Sequence, residues 1–250
     1  MSDTRMQPEL RICADKAALY TAAVAAFAAL ARQAIAERGR FTVALSGGST
    51  PQPLYEALAA LPAAQAPDWT KVEVFFGDER CVPPADERSN YRMARLAMLD
   101  KLPALHVHRM RGEDEPHAAA THYEAELRRV FGDTLPRFDV ILLGVGDNGH
   151  TASLFPGTAA LYVTDQRVRA QYVEVQHEWR LTFTWPLINA ARAVWVLVAG
   201  SGKAGVVKDL LRGPLQPEVW PAQRIAPQDG AYQWWLDAAA ASQLSTKGVG

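Results

Sequence analysis

The sequence predicts an α/β fold in which a doubly wound, mostly parallel sheet carries helices on both faces. Short apolar runs, rich in β-branched and aromatic residues, alternate along the chain with longer segments of helical character. Continuous apolar runs are typical of strands buried on both faces, and strands separated by helices pair in parallel. Residues 167–183 break this alternation with two extended segments joined by a polar turn, which predicts a small extra lobe or an antiparallel edge.

Four apolar runs carry the strand prediction. They are Phe41–Leu45, Val72–Phe76, Val140–Leu143 and Ala193–Ala199. The region after Gly213 is rich in Pro and Gln and then aromatic, with Tyr232, Trp234 and Trp235. We expect this region to form a C-terminal layer that covers the sheet, with the aromatic side chains in the core and not in a sugar-stacking platform. The last residues, 245–250, are expected to fray.

The helices are placed by periodicity and by capping residues. They are Asp15–Arg38, Ser89–Leu102, His117–Phe131 and Gly202–Arg212. Asp and Ser are frequent helix N-caps, and Gly39 suits the end of the first helix. Within that helix Leu19, Ala23 and Phe27 fall on one face, which predicts a helix packed on a core and neither a membrane span nor a signal peptide.

Size and composition indicate one domain over residues 1–250, with a possible small lobe around 160–185. Twenty-six basic residues balance twenty-seven acidic ones. This balance argues against a nucleic-acid or anionic-membrane partner, which would favour a basic surplus. No feature indicates an obligate protein partner. Cys13 and Cys81 form no metal-binding spacing, and we expect a reducing, cytoplasmic location and no metal site.

The four predicted strands each end in an unusual loop, and in a doubly wound sheet the carboxyl ends of the strands share the edge at which ligands bind. The first loop, SGGSTP, contains Gly47, Gly48, Ser49 and Thr50. Its glycines let backbone N–H groups approach a phosphate, and its hydroxyls add donors at the start of a helix. It lacks the Lys of a nucleotide-binding P-loop. An ordinary strand-to-helix turn is the alternative.

The third loop, GVGDNGH, matches a dinucleotide fingerprint only by its letters. That fingerprint opens a long helix, whereas Pro156-Gly157 interrupts this segment within two turns. His150 at a glycine-lined strand end is a candidate general base, and the alternative is a histidine with a structural hydrogen bond.

The second and fourth loops supply charge. Asp78 and Arg80 follow the second strand and could orient a hydroxyl or stabilise negative charge, although a solvated turn is the default for such residues. Lys203 follows Gly-Ser-Gly and suits phosphate binding as a point charge, or else lies on a solvated helix surface. Arg180 and Arg192 could clamp a phosphate or pair with surface acids.

These motifs closely resemble the 6-phosphogluconolactonases over nearly the whole chain. The resemblance extends from SGGSTP through GDERCVPPADERSNY, LLGVGDNGHTASLFPG and RLTFTWPLINAAR to GSGKA and WPAQRI. It implies a fold like that of sugar-phosphate isomerases and CoA transferases, no cofactor, and hydrolysis of 6-phosphoglucono-δ-lactone, a small phosphorylated sugar lactone, in the oxidative pentose phosphate pathway. It assigns the base to His150, the GDER charges to Asp78 and Arg80, and phosphate binding to Lys203.

One position departs from the family pattern. The family usually has Asp directly before the Gly-His pair, whereas this chain has Asn148, with Asp147 beside it. Asn cannot ionise, yet it can orient His150 through a hydrogen bond. Whether Asp147 replaces the missing carboxylate is open at this point.

Two alternatives remain. Glucosamine-6-phosphate deaminases resemble the chain in GGSTP and in the Gly-His loop, but they carry Asp-Glu-Tyr and Asn-Glu-Pro where this chain has Asp-Glu-Arg and Leu-Phe-Pro. A sugar-phosphate-sensing module of a transcription regulator would need a fused DNA-binding element, and too few residues precede the first element to provide one.

Overall fold

A computed structural model describes residues 6–103 and 105–244 of the chain. Within these residues the strands and α-helices are, in order, β1 (Glu9–Cys13), α1 (Lys16–Arg38), β2 (Phe41–Leu45), α2 (Gln52–Ala59), β3 (Val72–Phe76), β4 (Asp78–Arg80), α3 (Asn90–Ala97), β5 (His106–Val107), α4 (Pro116–Phe131), β6 (Val140–Leu143), β7 (Val168–Val173), β8 (Glu178–Phe183), α5 (Trp185–Asn189), β9 (Ala193–Val198), α6 (Ala204–Arg212) and β10 (Ala231–Asp237). The expected fraying of residues 245–250 lies outside the described residues.

The main sheet has seven strands in the order β1-β10-β9-β6-β2-β3-β5, and all of its pairs are parallel. The four strands predicted from apolar runs form its centre, where both faces are covered. Every residue of β2, β6 and β9 is buried. The predicted doubly wound α/β architecture is therefore confirmed.

A second sheet of three antiparallel strands, β4-β8-β7, stands beside the main one. Its strands β7 and β8 are the two extended segments that broke the alternation in the sequence. Gly77 joins the sheets, because its N–H donates to Leu45 O at 2.8 Å and its carbonyl accepts from Phe183 N at 2.8 Å. The chain thus passes directly from β3 of the parallel sheet into β4, which carries the predicted charged residues.

Helix α1 begins and ends as the sequence predicts. The Asp15 carboxylate accepts from Ala18 N at 2.8 Å, and Gly39 ends the helix in the left-handed conformation with φ 76°. By length and composition alone, α1 is apolar enough to cross a membrane. Its stripe of Leu19, Ala23 and Phe27 is instead buried in the hydrophobic core.

Helix α3 is shorter than predicted. It is capped by Ser89, whose hydroxyl accepts from Arg92 N at 3.1 Å, but it ends at Ala97 and not at Leu102. Met98 leaves helical geometry at φ −140°, and a single 3₁₀ turn over Leu99–Lys101 follows. Capping chemistry fixed the start, whereas no Gly or Pro in the sequence marked the end.

The prediction of a C-terminal covering layer is wrong. The aromatic segment is β10, a strand inside the main sheet between β1 and β9. Trp234 and Trp235 point to opposite faces of that sheet and are 1% and 2% exposed, so the aromatic residues are core residues, as expected. No sequence pattern predicted β1, whose residues are mostly exposed, or β5, which has two residues.

Candidate active site

A cavity of about 220 Å³ opens at the carboxyl ends of β2, β6 and β9, where β3 turns into β4. It is the site that the four unusual loops predict. Asn148 and Arg192 do not line it, whereas nine of the candidate residues do: Gly47, Gly48, Ser49, Thr50, Asp78, Arg80, His150, Arg180 and Lys203. Segments distant in sequence thus meet in one place, as expected for the ligand edge of a doubly wound sheet.

The loop Gly47–Thr50, which we call the anion loop, is fixed at its ends and has free donors in its middle. Tyr55 OH donates to Ser46 O at 2.8 Å, and Tyr20 OH donates to Thr50 O at 2.8 Å. The N–H groups of the anion loop donate to no acceptor within the described part of the chain. Unpaired N–H groups at the start of α2 form an anion-binding arrangement.

The imidazole of His150 is held between two surfaces. Phe155 stacks on it, with ring centroids 3.9 Å apart and an interplanar angle of 16°. On another side the ring lies against Gly146, where a Cβ atom would come within 2.0 Å of the imidazole Cε1. A glycine is therefore required at position 146 to leave room for the ring.

The hydrogen bonds of His150 define its tautomer. Asn148 Oδ1 lies 2.6 Å from His150 Nδ1 and 3.3 Å from its backbone N. A backbone N–H can only donate, so the amide oxygen of Asn148 must be the atom that faces it. The neutral imidazole then carries its proton on Nδ1, and its Nε2 keeps a lone pair that can accept a proton.

Burial makes the neutral form of His150 the stable one. The pKa of His150 is lowered to about 4, first by desolvation and then by the positive charges of Arg180, Lys203 and Arg80, while the negative charge of Asp78 acts in the opposite direction. A histidine of this kind is unprotonated at neutral pH and is available as a base.

Asp78 is buried and does not pair with Arg80. Its Oδ2 accepts from Ser153 Oγ at 2.7 Å and lies 3.9 Å from Arg180 Nη1, and its Oδ1 accepts from Asn90 Nδ2 at 3.2 Å. The partners of Asp78 thus belong to other segments of the chain and not to its own GDER motif. Adjacent strands β4 and β8 bring Asp78 and Arg180 together across the second sheet.

The arginines differ in their placement. Arg80 donates to the carbonyl of Arg88, and its Nε has no partner among the described residues. Arg180 is 6% exposed and pairs with Glu178 Oε1 at 2.5 Å. Arg192 lies outside the cavity, 3.6 Å from Asp139 at the amino ends of the strands. It is therefore not part of this site.

Lys203 is paired with the third loop of the site. Its Nζ donates to Asp147 Oδ1 at 2.7 Å and to Val145 O at 3.1 Å. The pairing lowers the pKa of Asp147. Because Asp147 bonds Lys203, and Asn148 bonds His150, Asp147 does not take the place of the family carboxylate beside the histidine.

Sequence reasoning missed three polar residues of the site: Glu79, Asn90 and Ser153. All are nearly fully buried, and each accepts or donates hydrogen bonds that shape the cavity wall. They lie inside the GDER, SNY and GHTAS motifs, so the motifs contained the signal. Burial of a polar side chain is not visible in a sequence.

No group of three or more His, Cys, Asp or Glu side chains that could hold a metal occurs among the described residues.

Known proteins match the chain over almost its full length. The sequence profile of the family described as glucosamine-6-phosphate isomerases/6-phosphogluconolactonase matches residues 14–234. A protein named 6-phosphogluconolactonase from Synechocystis sp. is 44% identical over 96% of this chain and 99% of that protein. One of the same name from Nostoc sp. is 41% identical over 96% and 100%. The structure of 6-phosphogluconolactonase from Trypanosoma cruzi superposes with a TM-score of 0.84 at 28% identity, covering 98% of this chain and 100% of that one.

The histidine geometry predicts a measurable titration. By NMR, His150 should titrate with a pKa near 4 and should be the Nδ1–H tautomer above that pH. Asn148→Asp should raise this pKa, because a carboxylate at Nδ1 favours the imidazolium. Asp147→Asn should change it much less, since that carboxylate bonds Lys203. A larger shift in Asp147→Asn than in Asn148→Asp would contradict the assignment.

Proposed function

The chain belongs to the glucosamine-6-phosphate isomerase/6-phosphogluconolactonase family, and on that premise we propose that it hydrolyses 6-phosphoglucono-δ-lactone to 6-phosphogluconate. This is a step of the oxidative pentose phosphate pathway. The observation that carries the proposal is a neutral histidine with a free Nε2 in the same cavity as an anion loop with unpaired N–H groups. The relatives that bear the name support the substrate.

The chemistry requires an oriented water, a base and charge stabilisation. His150 Nε2 takes a proton from water as its oxygen attacks the lactone carbonyl carbon, which forms a tetrahedral oxyanion. The imidazolium then returns the proton to the ring oxygen as the ester bond breaks, giving a hydroxyl and a carboxylic acid, and the acid ionises to the carboxylate by releasing its proton to water. The positive charges of Arg80 and Arg180 stabilise the oxyanion. Throughout the reaction, Asn148 Oδ1 accepts the hydrogen bond of His150 Nδ1–H.

The phosphate is bound at a distance from the reacting carbonyl. The anion loop supplies N–H groups and hydroxyls, and Lys203 supplies a charge from the opposite loop. Binding energy from this remote group positions the carbonyl at His150. We further propose that the enzyme is a single cytoplasmic domain and that its partner is a small phosphorylated sugar lactone.

The deaminase alternative is not favoured. Arg80 and Phe155 stand where deaminases are expected to carry Tyr and Glu, and Phe155 stacks on the ring of His150. A hydrophobic face there desolvates the histidine and supports a neutral base.

The direct test is a pH-stat or coupled assay on freshly made 6-phosphoglucono-δ-lactone. Spontaneous opening of the lactone is subtracted. Turnover well above that background supports the proposal, and turnover no faster than the background would overturn it.

His150→Ala should lower kcat by ~10²–10⁴-fold, the usual contribution of a positioned acid–base group. For the wild-type enzyme kcat/KM should fall only as the pH drops through about 4, because the base is then protonated in the free enzyme. Near wild-type turnover in His150→Ala, with the melting temperature unchanged, would remove His150 from the mechanism.

Lys203→Ala should lower kcat/KM for the phosphorylated lactone far more than kcat/KM for glucono-δ-lactone, because only the phosphorylated lactone has a phosphate to bind. The matched control is Lys208→Ala, which removes an exposed charge from α6 outside the cavity lining. Equal losses on both lactones for Lys203→Ala would refute the phosphate role.

A further inference from the structure

A buried amide lies between the anion loop and Asp78. Asn90, the first residue of α3, is 2% exposed and lines the cavity. Its Nδ2 donates to Asp78 O at 2.9 Å and to Asp78 Oδ1 at 3.2 Å. A main-chain carbonyl can only accept, so the amino group of the amide must face Asp78 and its oxygen must face away.

The amide oxygen of Asn90 faces the anion loop. A Cβ atom on Gly47 would lie 1.7 Å from Asn90 Oδ1 and 2.3 Å from its Cγ, so the main chain of Gly47 rests directly on the amide. Asn90 Oδ1 accepts no hydrogen bond within the described residues. A buried acceptor without a donor destabilises the folded state. The amide is therefore held here for its bonds to Asp78 and for the space it fills under Gly47.

The main chain of Asn90 is also fixed. Its N–H donates to Glu79 Oε1 at 2.7 Å, and the neighbouring Tyr91 N–H donates to Glu79 Oε2 at 2.8 Å. The amide thus projects from an anchored helix end. Of its two contacts, one is with a catalytic-site carboxylate and the other is with the anion loop.

We propose that Asn90 is a positioning residue that sets the separation between the anion loop and Asp78, so that a phosphate bound by the loop places the reacting carbonyl at His150. This inference rests on the proposed function. Remote binding energy assists a reaction only when the distance between the two ends of the site is fixed. A misplacement of about 1 Å can cost ~10²-fold in rate.

The first experiment compares two substrates in Asn90→Ala. The ratio of kcat/KM for 6-phosphoglucono-δ-lactone to that for glucono-δ-lactone should fall ~10–10²-fold, because the phosphate no longer positions the carbonyl. If Asn90 served only the stability of the fold, kcat/KM would fall equally for the two lactones and the melting temperature would fall as well. An unchanged ratio would overturn the proposal.

The second experiment tests the contact between Gly47 and the Asn90 amide, and it needs only the phosphorylated lactone. Gly47→Ala should lower kcat/KM because the new methyl group collides with the Asn90 amide. Adding Asn90→Ala removes the atoms it meets, so Gly47→Ala/Asn90→Ala should be more active than Gly47→Ala alone. Independent effects would instead make the double variant less active than either single one.

Gly48→Ala is the matched control. Gly48 has φ 102°, and a Cβ there would meet nothing within 4 Å, so its loss of activity would come from backbone strain alone. Adding Asn90→Ala should therefore not restore Gly48→Ala. Rescue of both glycine variants, or of neither, would overturn the role of Asn90. Absence of lactone turnover in the wild-type enzyme would instead overturn the proposed function itself.

Discussion

The wall of the site depends on one buried carboxylate. Glu79 accepts hydrogen bonds from the backbone N–H groups of Arg80, Asn90 and Tyr91 and from the hydroxyl of Ser89. Burial raises the pKa of Glu79, and these four donors oppose that effect. They stabilise the charged form at the positive end of α3. Because side chains alternate along a strand, Glu79 points to α3 while its neighbours in β4 face the cavity.

Electrostatics links the two ends of the cavity. The cavity lining contains three positive side chains, Arg80, Arg180 and Lys203, and one carboxylate, Asp78, and this positive surplus favours an anionic ligand. The same three charges disfavour a proton on His150, although burial is the larger cause of its low pKa. The same positive side chains therefore favour an anionic ligand and help to keep His150 neutral. In the proposed reaction, a bound phosphate would offset part of the surplus and raise the pKa of His150.

The sequence predicted the centre of the fold and the location of the site, because both depend on local patterns. Buried parallel strands are continuous apolar runs, and their carboxyl ends carry the glycine-rich and charged loops. The edges were not predictable in this way: β1 is mostly exposed, and β10 lacks an alternating or β-branched pattern. The roles of Asn90 and Ser153 depend on which loops fold against each other, a long-range property that no local spacing encodes. The placement of Arg192 was open for the same reason.

Under the proposed phosphate role of Lys203, its ion pair with Asp147 makes ligand binding an exchange of anions. Asp147 is 85% exposed, so leaving Lys203 for water costs the carboxylate little. An arriving phosphate replaces one negative partner with another, and part of its attraction to Lys203 is spent on that replacement. When the product departs, the carboxylate is close enough to return and compete for the lysine. In the proposed reaction the substrate and the product carry the same phosphate, so Asp147 would compete with both of them for Lys203.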